Sequence, residues 1–288
     1  MVALTLILTK YALIHSFVFP SYLTHFQFII LSLSILLITA GGYIVNDIFD
    51  IETDTINKPN FVFIDTLISK KNAWKLYILL SVFGVFLGTY VSIYVDNFYY
   101  SFLFLGTAIL LFLYSNYFKK MPLIGNVIVA FLIGLSIFTL YLFDLTLTVD
   151  EFNKTNAFNV LKITIIYILF SFSTTLLREI IKDIEDIDGD NQQKMNTLPI
   201  LIGRKRAKNV VFVIASLQFI FTVVIVRFLY DTSILFFAYS FLFILLPLSY
   251  FLFKLWSSET KKEYQSLSNL LKTIMVFGIL SMLLFKFI

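Results

Sequence analysis

The chain contains no cysteine, so it has neither disulfides nor thiolate metal sites. Charge is scarce too: 14% of its 288 residues are Asp, Glu, Lys or Arg, against about 25% in an average soluble domain. A soluble fold of this length needs far more polar surface than that. Glycine (10) and proline (5) are few, and Pro247 is the only proline well inside an apolar run, so helices broken in mid-membrane are not expected. The first residues, Met1 to Phe19, lack both a basic lead-in and a small-residue cleavage site, and read as a membrane helix instead of a removable signal. That helix begins abruptly, which leads us to expect an amino-terminal segment before it.

What fills the space is hydrocarbon. The chain is 59% hydrophobic, with 34 phenylalanines and 16 tyrosines and a mean hydropathy of +0.89. Lipid is the simplest solvent for such a composition. Continuous apolar runs suit helices, because every backbone group must be satisfied inside the bilayer. A crossing needs roughly 20 apolar residues, and nine runs qualify: 2–19, 26–46, 73–95, 98–118, 123–143, 160–182, 207–230, 233–254 and 269–287. The expected architecture is therefore all-α and polytopic, a single domain over residues 1–288.

Charge placement orients it. Loops at 46–72, 118–122, 183–206 and 255–268 hold most of the lysines and arginines, among them Lys70, Lys71, Lys119, Lys120, Lys194, Arg204, Lys205, Lys261 and Lys262. The opposite loops hold Asp96, Asp144, Asp150, Glu151 and Asp231, with Lys154 their only basic residue. The basic side faces the cytoplasm. The reading is an integral protein of the cell (inner or plasma) membrane, with its amino terminus inside and no nucleic-acid partner. His15 and His25 fall on the far side and receive no role.

Chemistry concentrates in two segments. The first reads Asn46-Asp47-Ile48-Phe49-Asp50-Ile51-Glu52-Thr53-Asp54, the second Lys182-Asp183-Ile184-Glu185-Asp186-Ile187-Asp188-Gly189-Asp190. Each follows an apolar span on the cytoplasmic side. Asp47, Asp50 and Asp54 are spaced i, i+3, i+7, and Asp183, Asp186 and Asp190 repeat that spacing. On a helix these positions share a face, with neighbouring Cβ atoms about 5–6 Å apart. Carboxylates that close repel unless a cation intervenes. An all-oxygen donor set favours a hard divalent ion, and magnesium prefers sites shared with phosphate oxygens. Two acidic faces meeting over a metal-bound diphosphate fit that chemistry. The plainer reading is a pair of solvated acidic loops, which the repeated spacing at two span ends opposes.

Basic groups lie nearby. Arg178 and Glu179 fall inside the end of the sixth span, where a charge is costly, either as a site or as a structural pair. Lys119 and Lys120 follow Tyr114-Ser115-Asn116 and read equally as phosphate contacts or as membrane anchors. A transporter would place its charges near mid-span, and both acidic clusters sit at span ends.

The two segments, their order and their placement resemble the UbiA superfamily of intramembrane prenyltransferases. Asn46-Asp47-x-x-Asp50-x-x-x-Asp54 is similar to its first motif and Asp183-x-x-Asp186-x-x-x-Asp190 to its second. Arg178 to Asp190, followed by Thr197-Leu198-Pro199-Ile200, with Leu113 to Asn126, are most similar to the geranylgeranylglycerol-phosphate geranylgeranyltransferase branch. The paired Arg-Pro and Pro-Ser-Gly elements that usually follow the first motif are reduced here to Lys58-Pro59.

The resemblance implies nine helices around a central cavity open to the cytoplasm. It implies magnesium on Asn46, Asp47, Asp50, Asp54, Asp183, Asp186 and Asp190, with Asp50, Asp54, Asp183 and Asp186 catalytic. Asn46, Lys58, Tyr114, Lys119, Lys120, Arg178 and Lys182 would bind substrate. The donor would be geranylgeranyl diphosphate. The acceptor would be a lipid hydroxyl, as in geranylgeranylglyceryl phosphate, or an aromatic ring. Tyr43, Phe49, Tyr114 and Tyr117 lie near enough in sequence to offer faces to an allylic cation, about 0.5–2 kcal/mol each, although ordinary lipid-facing or core packing is the favoured role of any one of them.

Overall fold

A computed structural model describes residues 1–18, 21–57, 62–145, 154–193 and 195–287. Eleven helices are named here in chain order. They are α1 (Val2–Phe17), α2 (His25–Asn57), α3 (Lys70–Tyr94), α4 (Phe98–Asn116) and α5 (Ile124–Leu145), then α6 (Lys154–Glu185), α7 (Ile187–Gln192), α8 (Leu198–Ile202) and α9 (Arg204–Thr232), and finally α10 (Ile234–Ser257) and α11 (Lys261–Phe287). Eight of them, α2–α6 and α9–α11, are long and apolar enough to cross a membrane, and the shorter apolar α1 occupies the first expected span. Among the described residues the only β pairing is an isolated bridge, Ile64 with Ile68.

Two boundaries differ from expectation, and both matter. The first acidic segment is not loop: α2 stays helical to Asn57, because nothing between Val45 and Asn57 breaks it and its buried stripe continues through Ile48, Asp50 and Thr53. In the second segment α6 ends at Glu185, Asp186 leaves the helical path, and α7 carries Asp190. The expected single helical face over 183–190 is thus bent at its middle carboxylate.

Bulky side chains turn outward to lipid: Phe86, Phe228 and Phe253 are all exposed. Several of the glycines sit where helices touch, as expected when close backbone approach drives association in lipid. Gly84 receives Ile38 of α2, its carbonyl accepting from Ser34 Oγ at 2.7 Å. At Gly88 a Cβ would lie 2.3 Å from the Phe104 ring. Two apolar cores result. One joins α1–α5 through residues such as Leu31, Ile38, Phe104 and Phe143. The other joins α6 with α9–α11 through Leu177, Ile181, Phe251 and Leu271.

Asp144, expected in a far-side loop, instead ends α5 in full burial. Its Oδ2 pairs with Lys10 Nζ of α1 at 2.8 Å, and its Oδ1 accepts from Leu23 N at 2.8 Å. Lys10 also donates to Leu23 O at 2.8 Å and Ser21 Oγ at 3.1 Å. Every charged atom there has a partner. The histidines are local: His25 Nδ1 meets Tyr11 OH at 2.7 Å and His15 Nε2 meets Ser21 Oγ at 3.0 Å. Asp150, Glu151, Lys58 and Lys194 lie outside the described residues.

Candidate functional site

A cavity of about 550 Å³ lies between the two halves of the bundle, and both acidic segments line it. From α2 it takes Asn46, Asp47, Asp50, Thr53, Asp54 and Asn57; from α6 and α7, Arg178, Glu179, Lys182, Asp183, Asp186 and Asp190. Tyr114 and Lys119 come from α4 and the turn after it, and Asn126 from α5. The helical spacing that put the first three aspartates on one face therefore faces them inward.

Hydrogen bonds set the side chains. Asn46 Nδ2 donates to Asp50 Oδ2 at 2.6 Å, and Lys119 Nζ forms an ion pair with the same carboxylate. Lys119 also reaches Asn46 Oδ1 at 3.4 Å. Burial pulls the Lys119 ammonium down, but Asp50 against it, with Asp54 and Asp190 further off, holds it above the usual lysine value. Across the cavity Asn126 Nδ2 donates to Asp183 Oδ2 at 2.8 Å. Glu179 takes Arg178 Nη1 on one oxygen at 2.7 Å and Lys182 Nζ on the other at 3.4 Å. The two segments are fastened to each other by Asn57, whose Nδ2 donates to Asp186 O and whose Oδ1 accepts from Gly189 N, both at 3.2 Å. A Cβ at 189 would meet the Asn57 amide at 2.4 Å and push it out of this arrangement.

The charges do not cancel. Seven carboxylates line the cavity (Asp47, Asp50, Asp54, Glu179, Asp183, Asp186 and Asp190) against three cations, Lys119, Arg178 and Lys182. Among the described residues no three carboxylate or imidazole groups stand close enough to cage a metal ion unaided. That pattern fits magnesium, which takes one or two carboxylates, keeps waters and shares substrate phosphates. Away from the acids the wall turns apolar through Ile35, Ile38, Leu103, Phe104, Leu111 and Leu132. From Asp50 to Ile35 the α2 wall measures about 22 Å at ~1.5 Å per residue. The space suits an amphiphile with a polyanionic head and a long hydrocarbon tail.

Eleven of the thirteen candidate site residues named from sequence meet in this cavity. Lys120 does not: it is exposed, and its carbonyl accepts from Asn196 N at 3.0 Å. Lys58 lies outside the described residues. Of the four aromatic candidates Tyr43 and Tyr114 line the cavity, while Phe49 packs on Trp74 and Phe112, and Tyr117 is exposed against Phe118. Sequence reasoning missed Asn126 and Asn57 as site residues, and left Glu179 open between a site residue and the structural partner of Arg178. For Asn126 the available signal was an amide two residues into an apolar helix.

Comparison with known proteins places these features in a family context. The model of the UbiA prenyltransferase family matches residues 2–277. A digeranylgeranylglyceryl phosphate synthase of Thermococcus kodakarensis is 36% identical over 193 residues, covering 67% of this chain and 62% of that protein. The solved structure of a digeranylgeranylglyceryl phosphate synthase superposes with a TM-score of 0.67 at 24% identity, covering 100% of this chain and 94% of the other. An Archaeoglobus fulgidus UbiA homolog, solved with DMAPP and Mg²⁺, superposes at a TM-score of 0.57 and 17% identity, over 98% and 96% of the two chains.

Proposed function

This chain belongs to the UbiA prenyltransferase family, and from that premise we propose that it moves a geranylgeranyl group from its diphosphate to the hydroxyl of a membrane lipid such as geranylgeranylglyceryl phosphate. The observation that carries the reading is the single cavity in which two acidic segments meet at the mouth of a long apolar wall. The curated relatives, matched over less than two thirds of their length, supply the lipid acceptor, and the Archaeoglobus fulgidus homolog supplies the pairing of magnesium with an allylic diphosphate.

In this reading Asn46, Asp47, Asp50 and Asp54 on one side and Asp183, Asp186 and Asp190 on the other would hold magnesium. When bound, magnesium supplies Lewis acidity toward the leaving diphosphate. Lys119, kept charged by Asp50, adds a fixed positive charge where diphosphate charge builds. Asn126 orients Asp183, leaving its other oxygen for the cavity. The allylic C–O bond breaks with both electrons on the diphosphate, the acceptor oxygen forms the new ether bond, and the hydroxyl proton leaves to a carboxylate or to diphosphate. The apolar wall excludes water, which would otherwise capture the cation, and Tyr43 and Tyr114 offer electron-rich rings to it. The excess of lysine and arginine in the flanking loops supports a cytoplasmic position for this end. The tail stays in lipid, where each buried CH₂ is worth about 0.8 kcal/mol.

The test uses purified protein, magnesium and labelled geranylgeranyl diphosphate, with geranylgeranylglyceryl phosphate or an aromatic acid in separate tubes. Labelled ether lipid in the first tube alone supports the reading. Product with the aromatic acid alone keeps the chemistry and replaces the acceptor.

A further inference from the structure

The bend at Asp186 gives α7 a start that its own side chains do not cap. The first amides of a helix lack intrahelical partners, and an aspartate at the cap position ordinarily accepts from the second or third of them. Asp186 holds the cap position of α7, yet its side chain makes no such bond; its carboxylate lines the cavity. The third amide belongs to Gly189. It reaches Asp186 O at 3.1 Å and Asn57 Oδ1 at 3.2 Å. Asn57 is the last residue of α2, 129 positions from Asp186. Its Nδ2 donates to Asp186 O at 3.2 Å, so one neutral amide serves both a donor and an acceptor on the backbone of the bend. Gly189 and Asp190 are buried behind that contact.

We propose that Asn57 is a positioning residue of the transfer site: by capping α7 from the neighbouring helix, it keeps the carboxylates of Asp186 and Asp190 turned to the cavity that Asp50 and Asp54 also line. The inference rests on the prenyl-transfer reading above and adds to it the group that sets the separation of the two acidic segments. With Asn57 cut back to alanine, the cap position still holds an aspartate, a residue type that caps well. Asp186 then turns to Gly189 N, and α7 loses its tie to α2. Groups that orient metal-binding side chains in this way change metal affinity or activity about 10–100-fold when removed. An amide suits the position because it carries both a donor and an acceptor, whereas a carboxylate only accepts and would add to the seven already lining the cavity. Gly189 is the other half of the device. A Cβ there lies 2.4 Å from the Asn57 amide, so alanine at 189 displaces the cap without altering any carboxylate.

Binding of labelled geranylgeranyl diphosphate to purified protein in detergent tests this, read as the magnesium concentration at half-saturation alongside the unfolding temperature. Asn57→Ala and Gly189→Ala should each raise that concentration about tenfold or more. The double variant should do no worse than Asn57→Ala alone, because both substitutions remove the same contact. Gly189→Ala should lower the unfolding temperature of wild type but not that of Asn57→Ala, where the clash is gone and alanine is the better helix residue. A tie that only holds the fold together would lower the unfolding temperature and leave the magnesium midpoint of the folded fraction in place. That result, or shifts that multiply in the double variant, would overturn the proposal while wild-type binding stands. A wild type that binds no diphosphate at any magnesium concentration would overturn the transfer reading, and this proposal with it.

Discussion

The two ends of this bundle both hold charge away from water, and they hold it differently. At the far end Lys10 and Asp144 are 1% and 0% exposed, and every charged atom is answered by the other or by Ser21 and Leu23. Nothing remains there for a ligand to satisfy. At the acidic end seven carboxylates face three cations around an open cavity. Burial of charge is common to both. Excess of one sign, next to a space that admits a ligand, belongs to one. The far end works as a clasp between α1 and α5; the acidic end needs something from outside the chain.

Mutations that exchange the properties of the two ends should break the comparison cleanly. The largest effect is expected at the acidic end. Asp50→Ala and Asp186→Ala should each lower transfer at least about 10³-fold, with thermal unfolding in detergent nearly unmoved in Asp186→Ala. The far end should show the reverse. Lys10→Met leaves a buried carboxylate alone and should cost about 3–5 kcal/mol of stability, read as a lowered unfolding temperature, while turnover per folded molecule holds. Adding Asp144→Leu should recover most of that loss, because a pair replaced by apolar groups leaves nothing unsatisfied.

Within the acidic end the contrast sharpens between neighbours. Lys119→Ala should reduce transfer by about 10²-fold, whereas Lys120→Ala, on the outer side of the same turn, should stay within about twofold. Asn126→Ala, which frees Asp183 to rotate, should cost about tenfold. The smallest effect concerns pH. Lys119 is held above its ordinary 10.5, so its share of stability is complete below that value and is lost only as pH rises through the raised one. A pH–rate profile should show no basic limb from Lys119 below 10.5.

The membrane architecture was legible because each crossing is a local property, roughly 20 apolar residues at a time. The acidic motifs were legible for the same reason: a helix turns i, i+3 and i+7 spacing into a shared face without reference to the rest of the chain. What stayed hidden depended on contacts between distant segments. Asn126 is 57 residues from the carboxylate it holds, and Asn57 is 132 from Gly189. The Lys10–Asp144 clasp joins residues 134 apart. Lys119 and Lys120 are adjacent and chemically alike, so only the path of the turn separates the one inside from the one outside. Phe49 shares a motif with Asp50 but lies on a different face of α2, against Trp74. The bend at Asp186 was equally silent, since the spacing of 183, 186 and 190 reads as continuous helix.

The central claim is that the acidic end is incomplete until a magnesium-bearing diphosphate enters it. Binding of labelled geranylgeranyl diphosphate, titrated with and without magnesium against wild type, Asp50→Ala, Asp186→Ala and Lys10→Met, tests that most directly. The account predicts saturable, magnesium-dependent binding by wild type and by the folded fraction of Lys10→Met, and its loss in both aspartate variants. Binding that ignores magnesium, or that survives both aspartate substitutions, would contradict it.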